Sequence, residues 1–387
     1  MTNPIAAAQL TISTVVLIHG AWWTALSILA LPAPSRRKPT PPTSLSTTVI
    51  VPAHNEERLI SATLASLFSA RRSQRPEVLV VADNCTDATA AIARDLGATV
   101  LERTDATRRG KPFALAFALD HLAKRPMPPD VLVVVDADTT VSVSFFEAVE
   151  ARIDAGACAV QVHYAAGPAE TDLGRLRRLA FSLVHWCRPL GGSRIGLGTT
   201  LKGNGMAFSW AAAAFGLSGT SVTEDAESTL ALALRGITVE FEPHASVHGY
   251  MAQSYDDART QDARWESGRA GLTVKALRSA LLTARQGKLR PIAGTLEVAS
   301  LPLTLLGIIA FAGLGMAVAG FGSVPLASVA VFSLGTYVVT GLIAARASRT
   351  DLRALATAPR FVLHKLSIYA AIGSRRSARS WQRTGRG

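Results

Sequence analysis

The chain has 387 residues, enough for two or three domains, and its 40 Lys and Arg residues against 28 Asp and Glu give a net charge of +12. Apolar residues make up 49% of it and charged residues only 18%, which excludes a disordered chain, a coiled coil and a collagen-like repeat. Cys85, Cys158 and Cys187 lie far apart and are odd in number, so a disulfide framework and a cysteine-based zinc site are also excluded. Unpaired cysteines favour a reducing compartment.

The first predicted element is a transmembrane helix over residues 10–31, after an N-terminal tail of residues 1–9. His19 is the only ionisable residue in this stretch, and a helix needs roughly 20 apolar residues to cross a bilayer core. The alternative is a cleaved signal peptide. The stretch is longer than the usual apolar region of about 7–15 residues and no Lys or Arg precedes it, which favours an uncleaved anchor.

A linker rich in Pro, Ser and Thr over residues 32–46 leads into a predicted α/β domain over residues 47–250. Short apolar runs alternate there with amphipathic segments, which predicts a mostly parallel sheet with helices on both faces. The predicted strands are Thr47–Val51, Val78–Ala82, Val131–Asp136, Ala157–His163 and Ile237–Pro243. The predicted helices are Glu56–Ala70, Asp87–Leu96, Pro112–Ala123 and Phe145–Ala155.

Acidic residues follow three consecutive predicted strands. Glu56 and Glu57 come after the first strand, Asp83 after the second, and Asp136 and Asp138 end the third. Parallel sheets bind ligands at the carboxyl ends of their strands. Mg²⁺ and Mn²⁺ prefer oxygen ligands, often one or two carboxylates together with substrate phosphates. The pattern predicts a divalent-metal site, although each Asp taken alone can equally be a turn cap.

Two later motifs carry further candidate residues. Thr223-Glu224-Asp225 precedes a helix-like stretch over residues 226–235, where an ordinary helix cap is the alternative interpretation. Gln261-Asp262-Ala263-Arg264-Trp265 lies within a predicted pair of amphipathic interface helices over residues 251–293, where an ordinary exposed helix face is the alternative.

The C-terminal part predicts two more membrane spans, over residues 298–320 and 324–345, because no charged residue occurs from Val298 to Ala345. Residues 346–387 then carry ten Lys or Arg residues and one acid, a net charge of +9. Loops rich in Lys and Arg usually lie on the cytosolic side of a membrane. Because these cations and Arg36, Arg37 and Lys38 flank the middle of the chain, we expect that part to lie in the cytosol. Three spans would anchor it to the cytoplasmic membrane. Lipid headgroups, rather than nucleic acid, are the expected partner of the basic tail.

Seven motifs in order resemble the family 2 inverting glycosyltransferases, specifically the membrane-anchored cellulose, chitin and hyaluronan synthase-like branch. The similarity extends over roughly residues 47–290 and to the paired C-terminal spans. The motifs are VPAHNEE at residues 51–57, ADNCTD at 82–87, RRGKPFAL at 108–115, DAD at 136–138, GNGMAF at 203–208, TED at 223–225 and QDARW at 261–265.

The resemblance implies a GT-A fold, which is a nucleotide-binding αβα sandwich, and it implies a role for each matching residue. The family's habit favours UDP as the nucleotide of the donor. The implied donor-binding residues are Pro52, Ala53, Glu56 or Glu57, Asp83, Lys111, Asp136, Gln261 and Arg264. The implied ligands of Mg²⁺ or Mn²⁺ are Asp138 and Asp136, the implied catalytic residues are Asp225 as base with Glu224, and the implied acceptor-binding residues are Trp265 and Asn204.

The function implied by the resemblance is transfer of a sugar, by single displacement, to a growing β-linked polysaccharide or oligosaccharide. Three spans are too few to enclose a polysaccharide channel in one monomer, so a homo-oligomer or additional export subunits would be needed for export. Transfer of a single sugar to a lipid acceptor is the alternative within the same class. A nucleotidyltransferase on a similar sheet is a second enzymatic alternative. An inactive membrane scaffold or sugar-binding subunit is the alternative from a different class.

Overall fold

A mixed sheet of eight strands lies at the centre of the computed structural model, which describes residues 3–34, 44–70, 75–217, 219, 221 and 223–373. The strands are β1 Thr47–Ala53, β2 Glu77–Asp83, β3 Thr99–Arg103, β4 Val131–Val134, β5 Thr140–Val141, β6 Ala159–Ala166, β7 Met206–Ser209 and β8 Val239–Gly249. Their order across the sheet is β3-β2-β1-β4-β7-β6-β8-β5.

Sixteen α-helices are described. They are α1 Pro4–Ala30, α2 Ile60–Ser69, α3 Thr89–Asp95, α4 Lys111–Ala123, α5 Phe145–Asp154, α6 Asp172–Ser182, α7 Arg188–Arg194, α8 Trp210–Gly216, α9 Glu224–Leu234, α10 Tyr255–Ala270, α11 Thr273–Arg285, α12 Ile292–Ala299, α13 Leu303–Val318, α14 Val324–Ala344, α15 Arg349–Ala354 and α16 Ala358–Gly373. A π-helical turn, Leu183–Cys187, joins α6 to α7, and a 3₁₀ turn, Leu355–Thr357, joins α15 to α16.

The five predicted strands are all present, but the sheet is mixed because β7 runs antiparallel to both β4 and β6. Strands β1, β2, β3 and β4 are parallel to one another. Their inner members are buried on both faces, which is why they appear in the sequence as continuous apolar runs. Strands β3, β5 and β7 were not predicted from the sequence, because they are short or lie towards an edge of the sheet.

Helices cover both faces of the sheet, as the predicted αβα sandwich requires. On one face, Val49 and Val51 of β1 pack with Ile60 and Leu64 of α2 and with Phe145 of α5. On the other face, residues of β1, β2 and β4 pack against α4, α8 and α9; they include Ile50, Leu79, Leu132, Leu115, Ala212 and Leu232. Because successive side chains of a strand point to opposite faces, each strand contributes to two separate hydrophobic cores.

Two helices, rather than the predicted three, are long and apolar enough to span a membrane: α1 and α14. The predicted span over residues 298–320 is wrong as a single straight helix, because α12 and α13 meet at a 62° bend. Pro302 has no backbone N–H and cannot continue α12, so α13 begins at Leu303. Counting the bent pair as one span would give three.

The apolar helices form one bundle. Helix α1 packs against α13 and α14, and the π-helical turn joins them from the side of the sheet domain. The buried residues of this bundle include Val16, Trp23, Leu306, Ala310, Leu334, Tyr337 and Leu183. The bundle is thus attached to the sheet domain through α6 and α7, a region for which the sequence predicted no element.

The segments flanking the bundle also form helices. The predicted amphipathic segment is divided into α10 and α11, and α11 exposes Val274, Leu277 and Leu281. Within the predicted basic tail, α15 and α16 fold back onto the sheet domain, where Asp351 contacts Arg178. Residues 374–387 of that tail, and the predicted cytosolic cations at residues 36–38, lie outside the described residues.

Candidate functional site

A cavity of about 600 Å³ lies at the carboxyl ends of β1, β2 and β4, where the sequence placed the site. The predicted site residues that line it are Pro52, Ala53, Glu56, Asp83, Lys111, Asp136, Asp138, Glu224, Asp225, Gln261 and Trp265. Glu57 and Asn204 are not among the lining residues, and the side chain of Arg264 lies outside the described part of the chain.

The loops that follow β1 and β2 are tied to each other. Asn55 Oδ1 accepts a hydrogen bond from the Thr86 N–H at 2.8 Å, and Asn55 has a φ of 55°, a left-handed conformation that asparagine tolerates. The Glu57 carboxylate accepts a hydrogen bond from the Ala88 N–H at 3.1 Å, at the start of α3. Of the predicted pair, Glu56 lines the cavity and Glu57 joins the two loops.

Asp83 holds the end of β2 against the start of α4. Its carboxylate accepts hydrogen bonds from Arg103 Nη1 at 2.6 Å, from Asn84 Nδ2 at 2.9 Å and from the Gly110 N–H at 3.2 Å. Asp83 and Arg103 are both largely buried, so the ion pair is little screened by solvent. Removing either partner would leave a buried charge uncompensated, which is strongly destabilising.

Lys111 is the cation at the centre of the site. It is the first residue of α4, and its Nζ contacts Asp136 Oδ1 and the carbonyl oxygen of Gly203. Burial acts to lower the pKa of Lys111, but the negative charges of Asp136, Glu224 and Asp225 outweigh it and raise the pKa. Lys111 is therefore protonated and lies among carboxylates.

Hydrogen bonds from the protein interior hold the Asp136-Ala137-Asp138 turn in place. The Asp136 N–H donates to Asn204 Oδ1 at 3.1 Å, and Asn204 Nδ2 donates to Thr139 Oγ1 at 2.8 Å. Asn204 is only 1% exposed, so both ends of its amide are used inside the protein. Asn204 thus holds the turn from inside the protein and does not line the cavity, and its contact with an acceptor stays a prediction.

Glu224 and Asp225, at the start of α9, face the loop that contains Gly203. A Cβ atom on Gly203 would lie 3.6 Å from Asp225 Oδ2 and 3.9 Å from Glu224 Oε1. Gly203 also has a φ of +78°, which favours glycine at this position. Because the same residue's carbonyl contacts Lys111, the two carboxylates and the lysine share one end of the cavity.

Burial raises the pKa of Glu224 to about 8, with smaller contributions from the charges of Asp225 and Asp136 and an opposing one from Lys111. Burial therefore favours the protonated form of Glu224 in the folded protein. In the unfolded chain it would titrate near 4.5, so the folded state binds a proton between these values that the unfolded state has released.

This difference predicts that the free energy of unfolding falls as pH rises from about 5 to about 8, because in this range the folded state binds one more proton than the unfolded state. Glu224→Gln, which stays neutral, is expected to flatten this part of the curve. The measurement is the melting temperature at successive pH values, with Glu147→Gln, an exposed residue of α5, as the matched control. An unchanged slope in Glu224→Gln would contradict the assignment.

The site fits a divalent cation only in part. Among the described residues no group of three or more His, Cys, Asp or Glu side chains could hold a metal ion. Asp136 and Asp138 both line the cavity and supply carboxylate oxygens, which are ligands that Mg²⁺ and Mn²⁺ prefer. Such ions commonly take their remaining ligands from water and substrate phosphates, so the donor set fits a metal that arrives with a diphosphate.

The opposite wall of the cavity contains a buried network of charged side chains, and the sequence did not predict it. Arg177 of α6 donates through Nη1 to both carboxylate oxygens of Asp262, at 2.9 Å each, and through Nη2 to Gln261 Oε1 at 2.8 Å. Lys365 of α16 lies 3.3 Å from Asp262 and 2.9 Å from Glu266. The QDARW motif is therefore held between α6 and α16.

Trp265, four residues after Gln261 on α10, remains 38% exposed and lines the same cavity. An indole face offers a flat apolar surface with a polar edge, which suits contact with a sugar ring. Within the motif, Gln261 and Asp262 therefore bind Arg177, whereas Trp265 keeps part of its surface exposed in the cavity.

Comparison with known proteins shows which family the chain resembles. The family model described as "Glycosyltransferase like family 2" matches residues 41–268, more than half of the chain. The 4,4'-diaponeurosporenoate glycosyltransferase of Staphylococcus haemolyticus (strain JCSC1435) is 35% identical over 104 residues, which are 26% of this chain and 26% of the relative. The enzyme of the same name from Staphylococcus aureus (strain USA300) is 37% identical over 97 residues, 24% of each.

These curated relatives are matched over only about a quarter of their length. Among solved structures, the mannosyltransferase PcManGT from Pyrobaculum calidifontis, in complex with GDP-Man and Mn²⁺, superposes with a TM-score of 0.56 at 21% identity. The alignment covers 92% of this chain and 97% of that one. At this identity the similarity shows the fold alone, and it agrees with the predicted GT-A type.

Proposed function

The chain belongs to glycosyltransferase-like family 2, and from that premise we propose that it is a glycosyltransferase, which transfers a sugar from a nucleotide-sugar donor with inversion at the anomeric carbon. One observation supports this proposal above the others. A lysine and two pairs of carboxylates, Asp136 with Asp138 and Glu224 with Asp225, line one cavity at the carboxyl ends of the strands.

Asp225 is the proposed base. In a single displacement, a base takes the proton from the acceptor hydroxyl as its oxygen attacks the anomeric carbon. Burial raises the pKa of Glu224 to about 8, so this neighbouring carboxyl group holds its proton more tightly than an ordinary glutamate. Asp225 adjoins it at the same end of the cavity, beside Gly203, whose carbonyl oxygen contacts Lys111.

Lys111 and the strand-end carboxylates form the proposed donor site. Pro52, Ala53, Glu56 and Asp83 line the part of the cavity that would hold the nucleoside, and Lys111 would meet negative charge on the diphosphate. Asp136 and Asp138 would hold Mg²⁺ or Mn²⁺, which when bound neutralises charge on the leaving diphosphate. UDP-sugars are the proposed donors, and Arg264 keeps its predicted role beside the diphosphate.

We place the enzyme at the cytoplasmic membrane, with the sheet domain on the cytosolic side. Helices α1 and α14 are long and apolar enough to span a bilayer. Apolar side chains on the outer face of the bundle are exposed, with Ile18 at 62%, Phe311 at 67% and Phe332 at 74%. Such a surface is costly in water and is satisfied by lipid. The polysaccharide acceptor implied by the sequence resemblance stays a prediction.

The test is nucleotide release from a panel of donors. Membranes containing the enzyme are incubated with UDP-glucose, UDP-N-acetylglucosamine or GDP-mannose in the presence of Mn²⁺ or Mg²⁺, and released nucleotide is measured. We expect release with at least one donor, loss of release in EDTA, and recovery when the metal is added back. An inactive scaffold or sugar-binding subunit predicts no release with any donor, and release that EDTA leaves unchanged would contradict the metal assignment.

A further inference from the structure

The cavity does not end at the catalytic carboxylates. It continues along one face of α6, the π-helical turn and α7, and the lining residues of this face are Arg177, Ala180, Phe181, Val184, His185 and Arg188. Successive members of this set are alternately three residues and one residue apart in the chain, so they lie along one face of a helix. We call this face the stripe. Residues at the two ends of the stripe are charged, and most of those between them are apolar or aromatic.

The charges at the two ends of the stripe are neutralised by carboxylates. Arg177 pairs with Asp262 at 2.9 Å, and Arg188 Nη1 lies 2.7 Å from Glu297 Oε1. Arg188 also donates to the Tyr337 hydroxyl at 2.8 Å and stacks on the Trp23 ring at 3.5 Å. Both arginines are largely buried, so they close the ends of the stripe and leave its middle as an apolar surface.

Residues of α12, of α13, of the link between them and of the turn before α11 complete this surface. We call the resulting part of the cavity the apolar arm, and define it by the lining residues Phe181, Val184, Leu272, Val298, Leu301 and Leu303. Leu301 and Leu303 lie on either side of the bend between α12 and α13 and also pack against the core of the apolar bundle. The arm therefore connects the carboxylate end of the cavity with the bundle.

We propose that the acceptor is an amphipathic lipid, whose hydrocarbon tail occupies the apolar arm and whose polar end presents a nucleophilic oxygen to Asp225. This proposal rests on the proposed transferase function and specifies its substrate class. Two observations support it: the arm belongs to the same cavity as Asp225, and it borders the helices that expose apolar side chains as a membrane-embedded bundle would. A sugar chain in the arm would bury hydroxyl groups against apolar side chains, at a cost in free energy.

The chemical step is balanced without a further reactant. The acceptor oxygen forms a bond to the anomeric carbon of the donor sugar while the bond from that carbon to the diphosphate oxygen breaks. The acceptor proton passes to Asp225, and the nucleoside diphosphate leaves with the bonding electrons. The product is a glycolipid with an inverted anomeric centre, and one sugar is added in each turnover.

The experiment blocks the arm and follows where the sugar goes. Native membranes containing the full-length enzyme, as wild type, Leu301→Trp or Val318→Trp, are incubated with the same panel of radiolabelled nucleotide sugars and Mn²⁺. Label is then measured in the butanol-soluble lipid fraction, in water-soluble polymer and as free sugar. Val318 lies on α13, is 71% exposed and does not line the cavity, so Val318→Trp is the matched control.

We expect wild type and Val318→Trp to label the lipid fraction, and Leu301→Trp to do so at least tenfold less while it still hydrolyses the donor to free sugar. Val298→Phe, a smaller change in the same arm, serves if Leu301→Trp does not fold. Label in water-soluble polymer, or equal lipid labelling by both arm variants and wild type, would overturn the lipid proposal. If instead no donor is consumed by the wild type, the proposed function itself fails.

Discussion

Asp225→Asn is expected to lower turnover by about 10²–10⁴-fold while donor affinity changes much less, because an amide keeps the shape of the carboxylate and cannot accept a proton. The measurements are the rate of sugar transfer at saturating donor and the dissociation constant for the nucleotide.

The alternative interpretation makes Asp225 a structural residue at the start of α9. Its Oδ1 accepts a hydrogen bond from the Ala226 N–H at 2.8 Å, and a carboxylate in the first turn of a helix is favoured by the helix dipole. A purely structural role predicts a stability loss of about 0.5–2 kcal/mol and near-normal turnover. Glu227→Gln, on the same helix but outside the cavity lining, is the control, and a folded Asp225→Asn enzyme with the wild-type rate would end the assignment.

The sheet domain was predictable because its signals are local. Strands buried on both faces appear as apolar runs such as Val131–Val134, and the residue that follows a strand lies at the ligand-binding edge wherever the strand sits in the sheet. Asp83, Asp136 and Asp138 could therefore be assigned to one cavity from the sequence, and the structure brings them to it.

The opposite wall of the cavity could not be predicted in the same way. Arg177 finds its partners Gln261 and Asp262 more than 80 residues later in the chain, and Lys365 reaches the network from α16. No local pattern encodes such pairings. The stripe from Arg177 to Arg188 does have helical spacing, and that periodicity is the signal that a sequence reading could have used.

Loop geometry and a single proline explain the remaining differences. Whether Glu56 or Glu57 reaches the cavity depends on the left-handed backbone at Asn55, which composition does not specify. Asn204 was predicted to contact the acceptor, but its amide holds the turn after β4. Pro302 divides an uncharged stretch that hydropathy alone treats as one span.

The second large effect is expected from Asp138→Ala, which should lower transfer by more than tenfold and weaken the response to Mn²⁺. Asp136, the other candidate ligand, contacts Lys111, so Asp138 is the carboxylate that a metal on the diphosphate would depend on most. A tenfold loss corresponds to only about 1.4 kcal/mol of activation free energy, which is small for the loss of an ionic ligand.

The measurement is the transfer rate as a function of Mn²⁺ concentration in wild type, Asp138→Ala and Asp120→Ala, an exposed residue of α4. Asp120→Ala should follow the wild-type curve. Asp138→Ala should need far more Mn²⁺ for half of its reduced maximal rate, because one carboxylate and the diphosphate alone must then retain the ion. A melting curve distinguishes this loss from misfolding. An Asp138→Ala enzyme that keeps more than about a tenth of the wild-type rate, with an unchanged Mn²⁺ requirement, would remove Asp138 from the metal site.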